Sequence, residues 1–159
     1  MNKLRICILL AIILLSNCTE QKDSGIINNG LIEDNMTLNL KFNNWLKRIN
    51  ENEKIDSSII AFNFGIFESP EGYKIYLIGA KKYDENDEDW ATYEDYSPKE
   101  KYFPLEINTT DGKDWEEVLK ISTDLVTQYV NSDDYKNSIF KNAKAITTGF
   151  DEGDLIRIK

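Results

Sequence analysis

The sequence predicts an α+β fold in which an antiparallel sheet carries two main helices on one face. Two long segments, 38–49 and 115–129, repeat apolar residues with the roughly 3.6-residue period of an amphipathic helix. Shorter segments between and after them alternate large apolar residues with other residues, which is typical of strands. Because the order is helix, strands, helices, strands, we expect the helices to form one layer and the strands another.

The first helix is expected to begin after Thr37, whose hydroxyl can accept an unpaired backbone N–H. Its other side is polar without being strongly basic, so the apolar stripe indicates packing against a core rather than membrane binding. The stripe falls at i, i+4, i+7, i+8 and i+11 and consists of Leu38, Phe42, Trp45, Leu46 and Ile49.

A hairpin is expected next, with strands at 60–66 and 73–79 joined by the Ser-Pro-Glu-Gly turn at 69–72. Proline presets φ for a turn and glycine tolerates a positive φ, so this tetrapeptide favours chain reversal. A third strand is predicted around 102–107, where Pro104 argues for an edge position or a bulge.

The second main helix has a clear start, because Asp114 and Glu117 have the spacing of a capping box and both acids suit the positive end of the helix dipole. Ser132 predicts the cap of one more short helix, and strands at 145–150 and 155–158 are expected to form a closing hairpin. The apolar positions of the second helix are Trp115, Val118, Leu119, Leu125, Val126 and Tyr129.

The N-terminal residues predict export. Lys3 and Arg5 precede an apolar run at 6–15, which is shorter than the ~20 apolar residues that a membrane-spanning helix needs. Small and polar residues follow at once, as at a signal-peptide cleavage site. We therefore expect residues 1–17 to be a signal peptide and not a membrane span.

The residues that end this leader, Leu15-Ser16-Asn17-Cys18, resemble the lipobox of bacterial lipoproteins. The resemblance implies that Cys18 becomes the first mature residue and carries a diacylglyceryl thioether, usually with an N-acyl chain. More than one acyl chain gives stable membrane anchoring. Asn17 stands where most lipoboxes carry Gly or Ala, so an ordinary signal peptide followed by a free cysteine is the alternative.

The predicted organisation is then a signal peptide at 1–17, a lipidated cysteine with a polar tether at 18–36, and a single α+β domain at 37–159. Residues 19–23, Thr-Glu-Gln-Lys-Asp, resemble the short export tags of surface lipoproteins in the Bacteroidota. The implied location is the bacterial cell envelope, as an outer membrane lipoprotein. Exposure at the cell surface and attachment to the periplasmic leaflet are both left open by the sequence.

Charge narrows the classes of partner. Loss of residues 1–17 removes Lys3 and Arg5, so 17 basic side chains remain against 28 acidic ones and the net charge falls from −9 to about −11. Such a chain repels nucleic acid phosphates and anionic head groups, so no nucleic acid partner is expected. A basic protein partner, a divalent cation or simple solubility are the interpretations left.

The chemistry available to the mature domain is limited. The sequence has no histidine, and of its two cysteines Cys7 leaves with the leader while Cys18 is the expected lipidation site. This removes the commonest general base and the Ser-His and Cys-His nucleophile pairs. No catalytic motif stands out, so we expect a binding protein rather than an enzyme, with no cofactor.

The densest acidic segment, 83–96, is the candidate binding site. It combines acids with aromatic residues, and interfaces favour Tyr and Trp at their centres while surrounding charge steers the encounter. A basic protein partner is predicted to contact Asp84, Asp87, Glu88, Asp89, Trp90, Tyr93 and Tyr96.

Three other interpretations of this segment stay open. A calcium loop would supply about six to eight oxygen ligands, but counting from Asp84, Asp89 and Asp95 stand where an EF-hand has Gly and Glu. Acids beside aromatic rings also suit a sugar-binding cleft. A solvated loop above a buried Trp90 needs no ligand.

The body of the chain, particularly 60–66, 72–79, 87–90 and 149–155, resembles small bacterial proteins found as immunity proteins beside toxins. The resemblance implies an inhibitor whose acidic face covers a basic toxin domain, and it assigns no individual contact residue. The alternatives are a surface lipoprotein that binds or processes glycans and an envelope structural lipoprotein.

Overall fold

The computed structural model describes residues 37–159; the predictions for the leader, Cys18 and the tether lie outside the described residues. None of the helices in 37–159 is long and apolar enough to cross a membrane. In chain order the elements are α1 (Leu38–Asn52), β1 (Ala61–Ser69), β2 (Gly72–Ala80), a 3₁₀ helix (Glu88–Thr92), β3 (Tyr102–Pro104), α2 (Ile107–Thr110), α3 (Trp115–Val130), α4 (Asp133–Lys136), β4 (Ala145–Phe150) and β5 (Ile156–Arg157).

The predicted helix starts are confirmed by their caps. The Thr37 side chain accepts the Leu40 N–H, and the Ser132 side chain accepts the Tyr135 N–H. At the start of α3, Asp114 and Glu117 exchange both bonds of a capping box. Each cap pairs a backbone N–H that has no partner within its helix, which stabilises a helix by about 1 kcal/mol.

The five strands lie in the order β3-β2-β1-β4-β5. The predicted hairpin is confirmed, with Gly72 at a φ of 103° where the turn enters β2. The third strand lies at the sheet edge as Pro104 suggested, but it ends at that residue, and α2 begins at Ile107. The closing hairpin of β4 and β5 is also confirmed.

The sheet is mixed, so the expectation of a wholly antiparallel sheet is wrong. β4 pairs in parallel with β1, from Ala61 opposite Ala145 to Ile66 opposite Phe150. The helices between β3 and β4 carry the chain back to the end of the sheet where β1 starts, as a parallel pair requires. Residues 145–149 are buried between β1 and β5, and continuous burial is typical of a parallel strand.

Both main helices pack on one face of this sheet. From α1, Phe42 lies with its ring centroid 5.9 Å from that of Phe64 in β1, and Trp45 lies 6.3 Å from the same ring. From α3, the Ser122 hydroxyl lies 2.8 Å from the Thr148 hydroxyl of β4. The largest core cluster therefore joins α1, α3 and one face of the sheet.

One residue of the predicted stripe on α3 lies outside the core. Trp115 is 59 % exposed, whereas Val118, Leu125, Val126 and Tyr129 are buried. Trp115 is the first residue of the helix and precedes its first buried residue by nearly one turn. The helical period placed Trp115 on the correct face but could not show where the core ends.

Candidate functional site: an acidic groove on the sheet

The face of the sheet away from α1 and α3 is only partly covered. Because side chains alternate along a strand, Asn63, Tyr76 and Ile78 lie on this face, with Asn63 paired opposite Ile78. Trp90 and Ala91 of the 3₁₀ helix cover one part, packing against small residues of three strands: Ala61, Ala80 and Ala145. Beside this cover lies an open groove of about 560 Å³.

We call this space the sheet groove. It lies where two acidic segments come together, 84–95 with seven acids and 151–154 with three. A hydrogen bond from the Leu155 N–H to Glu88 Oε1, 3.2 Å long, joins the chain after the second segment to the first. The groove is lined by Asn63, Phe67, Tyr76, Ile78, Glu88, Asp89, Ala91, Thr92, Glu94, Lys101, Tyr102, Phe150, Asp151, Gly153 and Leu155.

One side of the groove is a wall of three aromatic rings. The Phe67 centroid lies 6.2 Å from that of Tyr76 and 5.7 Å from that of Tyr102. Gly65 leaves room for the Tyr76 ring in this wall, because a Cβ at position 65 would lie 2.0 Å from Tyr76 Cζ. The Tyr76 ring therefore lies directly over the backbone of β1.

A cation of the protein itself lies against this wall. Lys101 Nζ is 2.7 Å from Glu94 Oε1, 5.5 Å from the Tyr76 ring centroid and 5.6 Å from that of Tyr102. Cation–ring distances of this size are attractive. The hydrogen bond from Lys101 lowers the pKa of Glu94 from its usual value, so this carboxylate remains ionised at neutral pH.

Tyr76 also links the ring wall to the second acidic segment. Its hydroxyl donates to Asp151 Oδ1 over 2.6 Å. Burial and this hydrogen bond raise the pKa of Tyr76 above its usual value. The hydroxyl therefore stays protonated at neutral pH and keeps Asp151 directed toward the groove.

The structure places the predicted acidic contact residues partly on the groove and partly on the loop beside it. Glu88 and Asp89 line the sheet groove. The exposed Asp87 caps the 3₁₀ helix by accepting the Asp89 N–H, and the exposed Asp84 accepts the Asn86 N–H. The exposed acids of this segment thus share one continuous loop at the side of the groove.

The three predicted aromatic contacts lie in different places. Trp90 is only 4 % exposed and packs edge-on against Tyr83, so it supports the loop from beneath. Tyr96 packs against Phe62 and donates its hydroxyl to Glu53, on the side of the sheet that the helices cover. Tyr93 is 48 % exposed and is the most accessible of the three, with Lys82 Nζ lying 5.8 Å from its ring centroid.

Apart from Glu88 and Asp89, the groove residues were not predicted as contacts from the sequence; among them are Asn63, Tyr76, Lys101 and Asp151. These four come from β1, β2, the approach to β3 and the loop after β4. A strand pattern shows that alternate side chains face opposite ways but does not show which face stays open. Asp151 had the only local signal, since it begins a second short run of acids.

Within residues 37–159, no three carboxylates gather closely enough to hold a metal ion. No family model, curated protein or solved structure matches this chain. The function is therefore inferred from the geometry and charge of the groove and from the sequence of the leader.

Proposed function

We propose that this chain is a lipid-anchored, acidic protein-binding module of the bacterial cell envelope that acts as an inhibitor or immunity protein against a basic toxin domain. The observation that carries the proposal is the meeting of two acidic segments around an open groove with an aromatic wall. Four carboxylates and one ammonium group line this groove, so its interior is net negative.

The arrangement suits a protein ligand. Charged groups at an interface steer the encounter and select partners of opposite sign, while aromatic side chains supply much of the binding energy. A stable interface takes roughly 20–30 residues from each partner. The contact surface therefore extends from the groove over the exposed loop that carries Asp84, Asp87 and Tyr93.

Lipidation at Cys18 gives this proposal its setting. An inhibitor held at the envelope meets an incoming toxin before the toxin reaches its target.

The first test is affinity capture from the native envelope and culture supernatant, with the full chain in detergent as bait. We expect recovery of one basic protein at low salt and its loss at high salt, because exposed charges are screened. The variant Asp87→Asn/Glu88→Gln/Asp89→Asn should weaken its affinity at least tenfold and flatten its salt dependence.

The matched control is Asp111→Asn/Glu116→Gln/Asp134→Asn, which removes the same charge from exposed positions on the helical layer. This control should bind the partner as the unaltered chain does. Equal losses in both variants would show that overall charge and not the loop drives binding. Unchanged affinity in the loop variant would remove the loop from the interface.

Glycan binding is the second candidate, and the ring wall of Phe67, Tyr76 and Tyr102 is the observation that favours it. Sugar rings stack on aromatic side chains, and carboxylates accept hydrogen bonds from sugar hydroxyls. The groove carries more acid than a neutral sugar needs, so a cationic ligand explains its charge better.

A further inference from the structure

We infer that the sheet groove receives an arginine side chain from an extended basic segment of the partner. This inference rests on the proposed function, since it specifies what the partner places in the groove. Three features of the groove support it: the cation already at its wall, the carboxylates that have no cation beside them, and an amide on its floor.

The position of Lys101 shows that the groove accommodates a positively charged group beside its aromatic rings. Lys101 Nζ lies near two rings of the aromatic wall and pairs with Glu94. Its side chain is 20 % exposed, so the ammonium group is held at the groove wall rather than in bulk solvent. A second cation beside it would meet the same rings from the open side.

The remaining carboxylates of the groove are not neutralised. Glu88, Asp89 and Asp151 form no salt bridge with any residue in 37–159. Asp151 uses one oxygen for Tyr76 and keeps the other free among these residues. The groove thus presents three uncompensated negative charges beside an aromatic surface.

The floor of the groove provides an observation independent of the acids. Asn63 is 3 % exposed, and its Oδ1 accepts the Thr147 hydroxyl over 3.0 Å. Within the described residues its Nδ2 has no hydrogen-bond acceptor, and Asn63 lines the groove. No buried polar side-chain atom in 37–159 lacks a partner, so Nδ2 is open to the solvent of the groove and is available to a polar ligand that reaches the floor.

The Asn63 amide can accept a hydrogen bond from a cation because its oxygen and nitrogen can exchange positions. Turning it by half a rotation directs Oδ1 into the groove and lets Nδ2 donate to Thr147 Oγ1, since a hydroxyl both donates and accepts. A guanidinium N–H then donates to Oδ1 on the floor.

Arginine fits this set of groups better than lysine. Its planar guanidinium stacks on aromatic faces and carries five donors in a fixed fork, which can meet a carboxylate and the floor amide together. An ammonium group is compact and strongly hydrated. The groove already holds one such group, Lys101, at its wall and not at its floor.

The test uses the full chain, ¹⁵N-labelled in detergent micelles, and four probes followed by NMR. The probes are acetyl-Gly-Arg-Gly-amide, its Lys and Gln counterparts, and triacetylchitotriose. We expect the Arg peptide to shift the Asn63 side-chain amide signals saturably, with at least threefold higher affinity than the Lys peptide. The Gln peptide and the sugar should give no saturable shift.

Two variants of one loop test whether Arg peptide binding depends on the charge that lines the groove. Asp151→Asn keeps an acceptor for Tyr76 but removes the charge, and it should weaken Arg peptide binding at least fivefold. Asp154→Asn is the matched control, because it removes the same charge from an exposed residue that does not line the groove. It should change the affinity by less than twofold.

The inference is overturned if the Arg peptide gives no saturable shift at Asn63, or if both variants weaken it equally. Saturation by the sugar and not by the Arg peptide also overturns it and assigns the groove to glycans. If a basic partner is captured and Asp151→Asn does not change its affinity, the arginine site in the groove is rejected and the proposed function stands. If the Arg peptide binds but no basic partner is captured, the proposed function is rejected and the arginine site stands.

Discussion

The variant Trp45→Ala is expected to lower the free energy of unfolding by about 3–5 kcal/mol, because it empties a large volume in the core. Trp45 is 1 % exposed and lies within 6.3 Å of the rings of Phe42, Phe64 and Phe103. Its indole N–H also donates to the Glu100 carbonyl over 2.7 Å. Chemical denaturation of the full chain in detergent, followed by far-UV circular dichroism, measures the loss.

Trp115→Ala is the control for this prediction, since it removes the same side chain from a position that is 59 % exposed. Its effect should lie within about 0.5 kcal/mol, as for most surface substitutions. A loss of comparable size in the two variants would mean that the core is not centred on α1, β1 and β3 as described.

The variant Cys18→Ala is expected to abolish lipid attachment completely and to leave an unprocessed precursor. The thioether of the lipid has no sulfur to form on, and the lipobox resemblance ends at this residue. Growth of the expressing cells with a labelled fatty acid, followed by gel analysis of the labelled chain, measures the effect.

Cys7→Ala provides the control, because this cysteine lies in the leader that processing removes. Its label uptake should equal that of the unaltered chain. Persistent labelling of Cys18→Ala would reject the lipobox interpretation. Absence of label from the unaltered chain would favour an ordinary signal peptide.

Local signals in the sequence were sufficient for the elements but not for their arrangement. The caps at Thr37, Asp114 and Ser132 and the turn before Gly72 depend on neighbouring residues, and all four are confirmed. The parallel pairing of β1 with β4 depends on contacts more than eighty residues apart. No local pattern in 145–150 indicates which strand it will meet.

The candidate site shows the same limit. Charge density singled out the 84–95 loop, and the structure places Glu88 and Asp89 of that loop on the groove. Alternation alone could not show that Trp90 turns inward while Tyr93 stays exposed. Asn63 and Lys101 could not be predicted as groove residues, because they meet only when four distant segments come together on the uncovered face of the sheet.

The most direct measurement is photo-crosslinking of the partner at one of two exposed aromatic positions in the native envelope. Benzoylphenylalanine replaces Tyr102, which is 53 % exposed at the groove, or Trp115, which is 59 % exposed on the helical layer. We expect an adduct with a basic protein from position 102 and none from position 115. An adduct from position 115 alone, or equal adducts from both, would contradict partner binding at the sheet groove.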